Sequence, residues 1–478
     1  MSEATALRAR PRPVLAALGQ QVPALLAVVT PPAVLAAVTG QGAMALSLLP
    51  QVIALSAIIW ALRDYSFPRD LRQIEALAAF ASLFLLAGAL VVPPFVVLGM
   101  TPLNAVFEAV SAITSTGLSV ATGTEDWPVA AHLLRGWVQW CGGFAIAFAG
   151  LAIFTGSPGA SLALAGSSVA ARDNLSSLRS QARNVLLSYA ALSGVAVVAC
   201  LLVIADPWEA VAIALAAVST GGFTPRADSL SSYGPLAQGV VIGICIAAAL
   251  SLIFYVQVLR DGLSAALAKT HVTAGLALMA FGTAVFVTLD LVTTSADASE
   301  LYRGALNFLS GFTTAGFSVG EVTTNVALLP LILIAMVIGG DLGSTGGGVK
   351  VGRFVVLCRA VRLIFVRVTV PASAVTYLRD RSVLVTADRM IAVAALLSLY
   401  IATAMLAWIV FLISGAAPLP ALFEVISALS TVGLSQGLTG PDLAAHLKGV
   451  LIVTMLLGRL EFVALIMLLL PQTWLKRG

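Results

Sequence analysis

Long apolar runs, each about 20 residues and separated by short charged clusters, govern what this 478-residue chain can fold into. An α-helix needs about that many residues to cross the hydrocarbon core of a bilayer, so the runs read as membrane spans. Only 10% of the residues are charged and 59% are hydrophobic, whereas a soluble domain has roughly a quarter of its residues charged. A β-barrel would instead show short alternating segments. The fold class is therefore an all-α integral membrane protein. Spans are expected near residues 14–38, 43–62, 74–98, 133–154, 184–204, 237–259, 271–292, 326–366 (interrupted), 389–414 and 447–470. That makes ten crossings, with both ends of the chain on the same side.

Most of the 26 lysines and arginines fall on one side of this layout. Arg8, Arg10 and Arg12 precede the first span, Arg183, Arg260 and Lys269 sit at later span ends, Lys350 to Arg389 is a basic segment, and Lys476 and Arg477 close the chain. The positive-inside rule makes this the cytoplasmic side. The other side carries Glu125, Asp126, Asp228, Glu321 and Asp442. The net charge of +4 thus reports orientation, and nucleic acid is not an expected partner. The first apolar run is too long for a cleaved signal peptide and reads as a retained helix. Cys141, Cys200, Cys245 and Cys358 show no paired spacing and read as buried thiols. His132, His271 and His446 are isolated and lack metal-ligand spacing.

Between the third and fourth spans lies an apolar piece too short to cross, Pro102 to Ile113, followed by Thr114, Ser115, Thr116 and Gly117. The arrangement recurs at Ser219, Thr220, Gly221 and Gly222, at Thr313, Thr314, Ala315 and Gly316, and at Ser430, Thr431, Val432 and Gly433. The aligned glycines are separated by 105, 94 and 117 residues, the mark of internal duplication. Thr101-Pro102 and Asp206-Pro207 put a capping side chain before a first-turn proline, and Glu209 and Glu300 place acid near the positive end of a helix dipole. Glu108 and Glu424, equivalent residues of copies one and four, are given the same interaction with helix amino ends. One Ser/Thr/Gly stretch alone reads as a turn. Four copies, each behind a half-length helix, read as re-entrant loops. Non-helical backbone at membrane depth is tolerated where protein buries it or where it lines a watery path. Four such strands around an axis would present carbonyl oxygens that replace the water around a dehydrated cation.

Three further stretches extend the pattern: WVQWCGG at Trp137 to Gly143, GGDLGSTGGGVK at Gly339 to Lys350, and LLGRLEF at Leu456 to Phe462. With them, essentially the whole chain resembles the Trk/Ktr/HKT superfamily of potassium transporters, in its bacterial Trk branch. The resemblance implies two N-terminal helices (1–73), then four membrane-pore-membrane repeats (74–183, 184–270, 271–388 and 389–478) around a central K+-channel-like pore. It implies K+ as the transported ion and makes the sixteen residues of the four aligned stretches its filter. Glycine at all four aligned positions goes with potassium in this superfamily, and serine in the first repeat marks its sodium-selective plant branch. Arg459 matches a pore-facing arginine below the filter. Gly339, Gly340, Asp341, Gly343, Ser344, Thr345, Gly346, Gly347, Gly348 and Lys350 match an intramembrane gate loop. The family habit also implies a homodimer in lipid, in the bacterial inner membrane with both termini cytoplasmic. A cytosolic ring of nucleotide-binding regulatory subunits would dock near the segment from Lys350 to Arg389.

On the residues alone, Arg459 is a charge in an apolar helix, where ionisable groups are costly and usually functional, with a structural pair to Glu461 as the alternative. The glycine-rich loop lacks Gly-Lys followed by Ser/Thr, so no nucleotide site is expected in this chain. Asp341 departs from the small uncharged residue the family implies, and a pair with Arg459 or Lys350 is expected of it. A sodium- or proton-coupled potassium symporter would carry acids at midplane, for which only Asp341 and Glu461 qualify. A sodium-permeable cation transporter stays open as well. No nucleophile, base and orienting group occur as a set, so an enzyme is not expected.

Overall fold

The computed structural model describes residues 8–65, 71–154, 169–294, 297–323, 325–371, 377–381 and 383–474, without the side chains of 150–154, 169–181 and 383. Lys476 and Arg477 lie outside the described residues. Among the described residues five helices are long and apolar enough to cross a membrane: Gly42–Leu62, Gln73–Val97, Ala182–Val203, Val272–Thr294 and Ala387–Ile413. Three helix pairs meet the same measure together, Pro11–Gln20 with Val22–Val38, Pro235–Ala249 with Leu252–Asp261, and Ala445–Arg459 with Val463–Leu469. The two other expected spans coincide with Val129–Phe154 and with the interrupted pair Leu329–Ile338 and Val351–Thr369.

Three spans expected to be continuous are broken, the first by a bend of 40° between Gln20 and Val22. The chain bends by 78° between Ala249 and Leu252 and by 116° between Arg459 and Val463, where Glu461 and Phe462 take left-handed φ values of 50° and 62°. At the break after Ala249 the freed backbone groups are paired with the glycine-rich loop. Ala249 O accepts from Asp341 N at 2.9 Å, and Leu252 N donates to Gly343 O at 3.0 Å. This meets the requirement that backbone inside a bilayer be satisfied by protein.

Between the long helices stand four short ones, Pro102–Ile113, Pro207–Val218, Ala298–Thr313 and Pro418–Leu429. Their C-terminal halves are buried nearly throughout, and they carry much of the apolar core. The basic segment folds as the helix Val351–Thr369 and a short antiparallel hairpin that pairs Arg379–Asp380 with Val383–Leu384. Cys200 and Cys245 are buried as expected, Cys141 is half-buried, and Cys358, on the helix Val351–Thr369, is exposed.

Candidate ion pathway

Three of the four short helices start on a side-chain cap, Pro418–Leu429 follows the uncapped Ala417, and all four end on the same backbone device. Thr101 Oγ1 accepts from Asn104 N, Asp206 Oδ1 from Trp208 N at 2.7 Å, and Asp297 forms a reciprocal capping box with Glu300. These caps satisfy backbone donors that a helix leaves unpaired. At the other end the chain turns through left-handed residues, Ser115 (φ 45°), Thr220 (50°), Thr314 (56°) and Thr431 (49°). The next residue in each copy donates back five positions: Thr116 N to Ser111 O at 2.9 Å, Gly221 N to Ala216 O at 2.8 Å, Ala315 N to Ser310 O at 3.0 Å, and Val432 N to Ser427 O at 2.8 Å. This is a Schellman closure, and it offsets the roughly 1–2 kcal/mol that a non-glycine residue loses in the left-handed region.

The four aligned glycines follow, with φ of 90° at Gly117, 75° at Gly222, 74° at Gly316 and 98° at Gly433. A side chain on any of them would strike a neighbouring copy. A methyl on Gly117 would overlap the Gly221 carbonyl, one on Gly222 the Ala315 carbonyl, one on Gly316 the Val432 carbonyl, and one on Gly433 the Thr116 carbonyl. The contacts run one to two, two to three, three to four, and four back to one. The stretches separated by about a hundred residues in the chain thus close into a single cycle. Glycine is required at each of these positions twice over, for its φ and for the space.

Behind the cycle, polar side chains hold the segments that lead away from the glycines. Glu108 accepts from Ser119 Oγ at 3.0 Å and Val120 N at 3.3 Å, and Glu424 from Ser435 Oγ at 2.6 Å, Gln436 N at 2.8 Å and Thr439 Oγ1 at 2.6 Å. Asn307, at the same offset in copy three, accepts from Val319 N at 2.8 Å. The two glutamates therefore do not serve the helix amino ends as expected. They lie past the middle of their helices and brace the outgoing strand. Ser111 and Ser427 add hydrogen bonds from Gly117 N and Gly433 N, both at 3.1 Å.

In copy two the equivalent position is the apolar Ile213, and the neighbouring helix supplies the bracing instead. Arg135 pairs with Glu108 at 2.9 Å, donates to Thr224 O at 3.0 Å, and stacks over the Phe223 ring at 3.9 Å. Gln139 Nε2 donates to Gly221 O at 2.5 Å. One carbonyl of the cycle is thus engaged by a side chain, so the four copies are not equivalent. Arg135 and Asn307 escaped the sequence reading. Their signal is a polar residue nine places before the glycine in three copies, with an arginine standing in for the fourth.

The glycine-rich loop lies directly against the cycle. Gly347 N donates to Thr314 Oγ1 at 2.6 Å, and a methyl on Gly347 would overlap the Ser430 carbonyl. Thr345 Oγ1 donates to Val218 O at 3.0 Å and Ala248 O at 3.2 Å, tying the loop to copy two. Lys350 Nζ donates to Gly346 O. Asp341 pairs with neither Arg459 nor Lys350; its Oδ1 accepts from Leu342 N at 2.8 Å, which closes a turn of the loop itself. Ser344 Oγ donates to Asp341 O at 2.6 Å within the same turn.

Arg459 bridges the loop and the cycle. It donates to Thr345 O at 2.9 Å and to Ser115 Oγ at 2.7 Å, and it is 3% exposed. The alternative of a pair with Glu461 does not hold, because Glu461 pairs with Arg353. No carboxylate accompanies the Arg459 guanidinium among the described residues.

Comparison with known proteins places the chain in one family and one fold. The model of the family described as TrkH, a cation transport protein, matches residues 93–261 and 263–476. The chain is 31% identical over 414 residues to the Trk system potassium uptake protein TrkI of Halomonas elongata, covering 83% of this chain and 81% of that protein. It is 27% identical over 405 residues to the Trk system potassium uptake protein TrkH of Vibrio parahaemolyticus, covering 78% and 79%. The crystal structure of the potassium transporter TrkH from Vibrio parahaemolyticus superimposes with a TM-score of 0.85 at 22% identity, covering 97% of this chain and 99% of that one. The chain belongs to the TrkH family of cation transport proteins.

Proposed function

We propose that this chain takes up potassium by a channel-like mechanism, with the four glycine stretches as its selectivity filter. The observation that carries the reading is the closed cycle of glycines against neighbouring carbonyls. In this reading the cycle would offer backbone oxygens around one axis, which is what dehydration of a monovalent cation requires. The names of the relatives, potassium uptake proteins, support the choice of ion. In this reading the four repeats divide at 183, 270 and 388, the loop from Gly339 to Lys350 is the gate, and Arg459 holds it shut against the filter. The chain sits in the bacterial inner membrane with both termini cytoplasmic, as a homodimer, and the basic helix Val351–Thr369 faces a nucleotide-binding regulatory ring.

A coupled symporter needs a carboxylate that can change partners during the cycle. Glu461 is held by Arg353, and Asp341 closes a turn of its own backbone, so neither acid is disposed for that role. The test is ion flux in proteoliposomes holding potassium alone, compared with imposed sodium or pH gradients. Passive potassium flux indifferent to both gradients is expected. Flux that requires either gradient overturns the channel-like reading, and equal sodium flux overturns the selectivity.

A further inference from the structure

A cavity of about 680 Å³ lies between the N-terminal helices and the first copy, away from the ion pathway. It is walled by three helix faces. Ala76, Ala79, Leu83 and Ala87 line it from Gln73–Leu90, Trp137, Cys141, Phe144 and Phe148 from Val129–Phe154, and Ala24 and Val28 from Val22–Val38. Spacings of three and four residues put each set on one face of its helix. The stripe from Ala76 to Ala87 is about 16 Å long at 1.5 Å per residue, roughly half of a hydrocarbon core of ~30 Å. Its inner end reaches Ile113, the last residue of the first short helix. At the other end stand Gln20, Gln21 and Arg183, the last exposed at the start of the span Ala182–Val203. Arg183 forms no ion pair or hydrogen bond with the described residues.

We infer that this cavity is a lipid site that holds one acyl chain of an anionic phospholipid, with its phosphate at Arg183. The volume falls in the range of small-molecule pockets, and an apolar slot of this length fits a tail from one leaflet. A stray water there would find few polar partners. The charge at the mouth is of the sign that anionic headgroups seek, and the orientation taken above puts the mouth in the cytoplasmic leaflet, where such lipids meet juxtamembrane arginine. The site does not depend on which cation the pathway carries.

The test uses the full chain in nanodiscs that contain phosphatidylglycerol with a diazirine at the end of its tail. Illumination is expected to label peptides from 76–87 and 137–149. Ala79→Trp, which fills the slot, is expected to reduce that label at least fivefold. Arg183→Gln is expected to bring the labelling ratio of phosphatidylglycerol over phosphatidylcholine from several-fold down to about one, and Arg183→Lys to keep most of it. Label spread evenly over the lipid-facing surface and unchanged by Ala79→Trp overturns the site. Disulfide links between two chains formed through Ala79→Cys or Phe148→Cys overturn it in favour of a second copy. A wild-type ratio of one overturns the headgroup assignment, and this reading survives even if the tryptophan variant fails to fold.

Discussion

Arg459 and Ser115, 344 residues apart in the chain, share a hydrogen bond of 2.7 Å, so the last broken helix is fastened to the first of the four glycine stretches. The same guanidinium holds Thr345 O in the loop at 2.9 Å. One side chain thus ties the loop to the glycine cycle and places a positive charge beside both. A cation 4 Å from this charge would meet repulsion of roughly 4 kcal/mol at an effective dielectric constant of 20. Arg459→Ala is expected to raise potassium flux several-fold in proteoliposomes, with unchanged elution on size exclusion. Arg459→Lys keeps the charge and loses the two-pronged contact, so its flux should fall between the two. Unaltered flux in the alanine variant would remove Arg459 from the pathway.

Gly316 stands at a φ of 74° with the Val432 carbonyl where a Cβ would go. Gly316→Ala is therefore expected to push copy three away from copy four and to loosen the ring. Potassium-over-sodium preference, read from competing-ion uptake, should drop toward one. Cysteine-accessibility labelling of the flanking helices should stay as in the wild type. Full selectivity in this variant would contradict a filter built on these four glycines.

The sequence carried the four stretches, the short helices ahead of them and the break at Gly339 because these rest on local composition and spacing. It did not carry the pairing of Gly117 with Gly221 or of Gly433 with Thr116. Those contacts depend on how helices far apart in the chain pack. For the same reason Glu108 read as a helix-end acid, although its position beyond mid-helix, matched by Glu424 in copy four, already argued for a strand partner. Asp341 looked like the mate of a basic residue because charge complementarity is visible in sequence. The turn that Asp341 closes exists only once the loop has folded.

Glu108 and Arg135 form a buried pair at 2.9 Å, with side-chain exposures of 0% and 5%. Removing one charge leaves the other uncompensated, which costs about 3–5 kcal/mol in buried pairs. Glu108→Gln is expected to lower the thermal midpoint of the detergent-solubilised protein by several degrees. Arg135→Met paired with Glu108→Gln should recover part of that loss, because no lone charge is left behind. A double variant less stable than the wild type by the sum of the two single-variant losses would show that the two charges are not coupled and that each side chain acts through its own packing.

On the basic face, Asp380 gathers one histidine and two arginines. It lies 2.9 Å from His271 Nε2, 2.8 Å from Arg359 Nη1 and 3.1 Å from Arg389 Nη2, and so ties the hairpin to the start of two long helices. Burial pushes its carboxyl up, but the hydrogen bond from His271 and the charges of His271, Arg389 and Arg359 outweigh this and hold it below the usual carboxylate range. A folded-state value lower than the unfolded one gives stability that is present above the unfolded pKa, about 3.9, and is lost as pH falls through the lower folded value. Asp380→Asn should therefore melt earlier than the wild type at pH 7, by an amount equivalent to about 1–3 kcal/mol for a buried charged hydrogen-bond partner. The gap should begin to narrow as both are taken below about pH 4 and close only once pH has fallen past the lower folded value. Melting curves at pH 7 and pH 3.5 decide it, and a gap of equal size at both would mean that Asp380 stabilises the hairpin by shape and not by charge.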